Sequence, residues 1–116
     1  MAYTLPVQLT IGQAGVTNAV AITGTGVQTP FAIAKESGRF WGQATFVAVL
    51  TTVTTFTANL EVDLTNTDAN FTTLFTGLDF KTVPAVLLNL NGGNARYRWN
   101  VITWVGTSAN IYGIVG

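Results

Sequence analysis

Apolar and polar positions alternate with a period of two along much of the chain. No window of a dozen residues holds the 3.6-residue apolar spacing of an amphipathic helix. Thr, Val, Phe, Ile and Trp dominate the alternating segments, and these residues suit a pleated, half-buried surface. The pattern predicts strands at Leu5–Ile11, Ala19–Thr23, Phe31–Ala34, Phe40–Leu50, Thr54–Leu64, Phe71–Phe75, Val83–Leu90, Ala95–Val105 and Ile111–Val115. Turn signals separate them at Gly12–Gly15, at the GTG after Thr23, at Lys35–Gly38 and at Thr65–Asn70. The run Thr51–Thr57 reads as a turn leading into a strand, and Asn91-Gly92-Gly93-Asn94 is the strongest hairpin signal. Short strands at this spacing predict an all-β chain: a single antiparallel β-sandwich, jelly-roll-like, of eight or nine strands.

Two segments define faces. In Asn59–Leu64, the residues Leu60, Val62 and Leu64 share one face, and Asn59, Glu61 and Asp63 form an acidic, solvated one. In Ala95–Val105, the residues Tyr97, Trp99 and Val101 oppose Arg96, Arg98 and Asn100, so the arginines can meet Glu61 and Asp63 on a neighbouring strand. The alternation breaks after Asn100, where Ile102 and Trp104 fall on the arginine face. Either a bulge shifts the register there, or a neighbouring subunit covers that end of the strand.

Length and charge then narrow the setting. One domain, residues 1–116, is the natural unit for a chain of 12.3 kDa. Only 9% of residues are charged, five positive against five negative, and the mean hydropathy is +0.42. Near-zero net charge favours association, so the composition points to a protein that works in an assembly; a compact Thr-coated monomer is the plainer alternative. The first 34 residues carry no charge, but polar residues interrupt them too often for a membrane span. The N-terminus lacks a basic segment followed by an apolar run, so synthesis in the cytoplasm without a signal peptide is expected.

Candidate chemistry is sparse. The absence of Cys and His removes thiol nucleophiles, the commonest general base and the usual zinc ligands. Glu61 and Asp63, two apart on a strand, have the spacing of an inverting glycosidase pair, but a cross-strand charge pair explains them better. Asn66–Asn70 resembles the start of a calcium loop, yet Phe71 stands where such a loop wants Gly and Gly77 where it wants Glu. Gly24-Thr25-Gly26 lacks the rest of a phosphate-binding fingerprint. Balanced charge and a pI near 6.0 build no basic patch for nucleic acid. Trp41, Trp99 and Trp104 could serve a carbohydrate-binding face or a packed core. The expectation is a non-enzyme without catalytic residues, cofactor or metal, and with neither nucleic acid nor membrane as partner.

Three stretches carry a family resemblance: GRFWGQATFVAVL (38–50), TANLEVDLTNTDANFTTLF (57–75) and ARYRWNVITWVGTSANIYGIVG (95–116). They are similar to the strand-and-turn patterns of small β-sandwich decoration or cement proteins of tailed-bacteriophage virions. The chain departs from that pattern at Ala69-Asn70, where such proteins often carry a glycine-rich tip. The resemblance implies a homotrimer that binds the major capsid protein or other virion proteins, in a virion assembled in the host cytoplasm. A receptor- or carbohydrate-binding module of a tail or fibre is the alternative. Tyr3, Leu5, Val7, Leu9 and Ile11 alternate with polar residues, so residues 1–11 form either an arm added to a neighbour's sheet or the first strand of the chain's own fold. With Arg96, Arg98, Ile102 and Trp104 they make up the expected subunit or shell contacts.

Overall fold

The computed structural model describes residues 7–11, 19–33, 43–65, 67–89 and 96–115. Tyr3, Leu5, Trp41 and the turns at 12–15, 35–38 and 91–94 lie outside them. The described residues form eight strand segments and no helix, and every pairing is antiparallel. The segments are β1 (Val7–Ile11), β2 (Ala19–Ile22), β3 (Gly26–Val27), β4 (Phe31–Ile33), β5 (Gln43–Asp63), β6 (Thr72–Asp79), β7 (Ala85–Asn89) and β8 (Arg96–Val115).

Two long strands organise everything else. β5 and β8 pair from Ala44↔Val115 to Asp63↔Arg96. On the outer edge of β5, β7 covers its first part and β6 its last. On the outer edge of β8 lie β4 and β3 near its start and β2 and β1 near its end. β1 joins the two ends: Val7 and Gln8 pair with Val115 and Ile114, while Leu9–Ile11 pair with β4. A path of hydrogen-bonded neighbours therefore runs from the start of β8 through β4 and β1 back to its end. β8 must curl for this to close, and curling gives the sheet an inside.

The inside is aromatic. Trp99, Tyr97, Phe31, Phe46, Phe56 and Phe80 are all sealed from solvent. Trp99 sits at the centre, edge-on to Phe46 at 5.0 Å and to Phe80 at 5.3 Å, with Phe31 tilted against it at 6.4 Å. Aromatic pairs favour such edge-to-face contacts.

The sharp curvature has identifiable devices. The buried positions of β5 run Phe46 and Ala48, then Val53, then Phe56, Ala58, Leu60 and Val62, so the inward face changes parity twice. Thr52 marks the first change, with a left-handed backbone (φ 51°) that a β-branched residue rarely adopts. Thr54 marks the second, as an extra residue between the pairs Val53↔Gly106 and Thr55↔Val105. A further register shift leaves Ile102 unmatched on β8, between Thr57↔Thr103 and Ala58↔Val101. Bulges bend strands and strengthen their twist.

Several sequence expectations are corrected here. Thr51–Thr57 is not a turn between strands: β5 runs through it and bends at Thr52. Ala95–Val105 and Ile111–Val115 are one strand, because Gly106–Asn110 continue the pairing with β5. The hairpin expected from Asn91–Asn94 does not appear among the described residues. β7 and β8 flank opposite edges of β5, so they have β5 as a common partner in place of each other.

Candidate contact surfaces

At one end of the molecule the charged residues satisfy one another. Glu61 and Arg98 are cross-strand partners, and the guanidinium Nε donates to Glu61 Oε1 at 2.6 Å. Asn100 Nδ2 donates to the other carboxylate oxygen at 3.0 Å, and the Arg98 guanidinium lies 4.1 Å over the Phe71 ring. The face expected to be solvated is in fact covered, and Glu61 and Asp63 are both buried. The covering residues are Arg98, Phe71 and the loop after Asp63.

That loop is built around Asp63. Oδ1 accepts the backbone N–H and the hydroxyl of Thr65, and Oδ2 accepts the backbone N–H groups of Thr67, Ala69 and Asn70. Arg96, the register partner of Asp63, turns instead to Asp68 and makes a two-pronged contact of 2.9 and 3.2 Å. The Thr65 hydroxyl, aided by the N–H groups of Thr65, Asn70 and Ala69, holds the Asp63 carboxyl well below its usual value of 3.8, against the opposing effect of burial. Asp79 is lowered too, chiefly by the Thr82 N–H and hydroxyl in the turn that follows β6. The oxygen-rich segment that resembles the start of a calcium loop spends its amides on a carboxylate of the chain itself.

Two predictions arise from this end. Arg98→Met keeps an apolar stem over Phe71 but leaves Glu61 buried without its cation. The expected loss is about 2–3 kcal/mol in urea unfolding, and Glu61→Gln in the same chain should recover a large part of it. Asp63→Asn should destabilise the chain at neutral pH. Because the folded-state pKa is depressed, Asp63 contributes fully above its unfolded value and loses that contribution as pH falls through the folded one. The stability gap between wild type and Asp63→Asn should therefore stay flat down to about pH 4.5 and narrow below 3.8. Urea titrations across this range measure it.

The expected contact residues fall in different places. Tyr3 and Leu5 lie outside the described residues. Val7, Leu9 and Ile11 belong to β1, which pairs with β4 and β8 of the same chain. Arg96 and Arg98 are half-buried in the ion pairs above. The bulge sends Ile102 and Trp104 to opposite fates: Ile102 is 49% exposed, while Trp104 turns inward, half-buried and edge-on to Phe56 at 5.0 Å. Trp99 has no exposed surface.

A second surface was not singled out from sequence. Among the described residues every charge lies between Glu61 and Arg98: Glu61, Asp63, Asp68, Asp79, Lys81, Arg96 and Arg98. The other half of the sheet, β2–β8–β5–β7, has none, and its outer face mixes apolar residues with the neutral polar side chains of Thr45, Thr51, Ser108 and Asn110. Ala19, Tyr112, Val47 and Ala85 stand in one row across the four strands. Val49 and Leu87 flank that row, 51% and 58% exposed. The signal was present in TFVAVL, which is apolar on both faces of a strand: Phe46 and Ala48 point in, Val47 and Val49 point out.

Family models, curated proteins and solved structures were compared with the chain, and none matches it. The fold and surfaces define it as a small all-β protein with an ion-paired polar end and one uncharged face that exposes several apolar side chains.

Proposed function

We propose that this chain is a structural component of a tailed-bacteriophage virion, a decoration or cement protein that stabilises the shell through subunit contacts. The observation that carries this reading is the uncharged outer face of β2–β8–β5–β7, on which Val47, Val49, Leu87 and Tyr112 stand exposed. A chain that acts alone in water gains nothing from such a surface, and contiguous exposed apolar area marks interaction sites. The low overall charge supports the same reading, as does the engagement of Glu61, Asp63, Asp68 and Asp79 in structural contacts. The sheet curled over an aromatic core supports a jelly-roll-like sandwich as its finer architecture. Standard interfaces cover about 1,600 Å², so a chain this small would hold a shell through several contacts at once.

Mass spectrometry of purified virions from cells that carry the gene tests the proposal. The chain should be present in stoichiometric amount, and the recombinant chain should co-sediment with particles grown without it. Absence from purified virions, with no binding to such particles, overturns it.

A further inference from the structure

We draw no further inference here: the strongest candidate, the uncharged outer face of β2–β8–β5–β7, sets Thr45, Thr51, Ser108 and Asn110 among its exposed apolar side chains, and nothing in the structure shows what covers it.

Discussion

Replacing Trp99 with alanine is expected to cost about 3–5 kcal/mol, enough to leave much of the chain unfolded near body temperature. Trp99 is the hub of the core: Phe31, Phe46 and Phe80 all pack on its rings, and it has no exposed surface. These partners come from β4, β5 and the turn after β6, so the cavity cannot collapse by moving one element. Thermal unfolding should show a drop on the order of 15 °C. Trp99→Phe should cost far less. The indole Nε1 is buried without a hydrogen-bond partner. Phenylalanine would remove that unsatisfied donor, offsetting about 1–3 kcal/mol of the lost packing. If the two variants were equally destabilised, ring packing around Trp99 would not be what holds the core.

Gly106→Ala should be the second most damaging change, although Gly106 is exposed. A methyl group there would lie 2.8 Å from the Thr52 carbonyl oxygen and 2.8 Å from the Val53 Cα, both backbone atoms. A flexible side chain could move aside; the β5 backbone at its left-handed residue can move only by opening the β5–β8 ladder at the bend. The expected cost is about 2–3 kcal/mol, at the upper end for overpacking. Gly24→Ala is the control. Nothing lies within 4 Å of a methyl group at that position, so its effect should stay within about 0.5 kcal/mol. Equal urea midpoints for the two variants would mean that the bend is not tightly packed at Gly106.

The alternation in ARYRWNVITWV was legible because it is local. Tyr97, Trp99 and Val101 point into the core as their spacing requires, and Arg98 meets Glu61 across the strand pair. The break after Asn100 signalled a bulge, and the unmatched residue is Ile102. The loop at 65–70 was also legible as side-chain and backbone hydrogen bonding. Its acceptor was not, because Asp63 reads as one more outward residue until the loop folds over it.

Errors came where two long strands share a bend. Thr51-Thr52 and Gly106-Thr107-Ser108 carry the residues of turns, yet each strand runs through. Turn chemistry is short-range, whereas the pairing of β5 with β8 at the bend joins residues more than forty positions apart. The same holds for Asn91–Asn94: a good hairpin sequence joins strands that pair on either side of a third.

The sequence by itself determined that the chain is all-β, that it carries few charges, and which residues along each straight strand point inward, since these follow from side-chain type and a period of two. Only the tertiary structure decided which strands meet, that Glu61 and Asp63 are covered, and that Arg96, Arg98, Glu61 and Asp68 pair at one end while Val47, Val49 and Leu87 stay exposed elsewhere. Those outcomes depend on curvature, and curvature arises from a few backbone distortions at Thr52, Thr54 and Ile102, of which the alternation marked only the last.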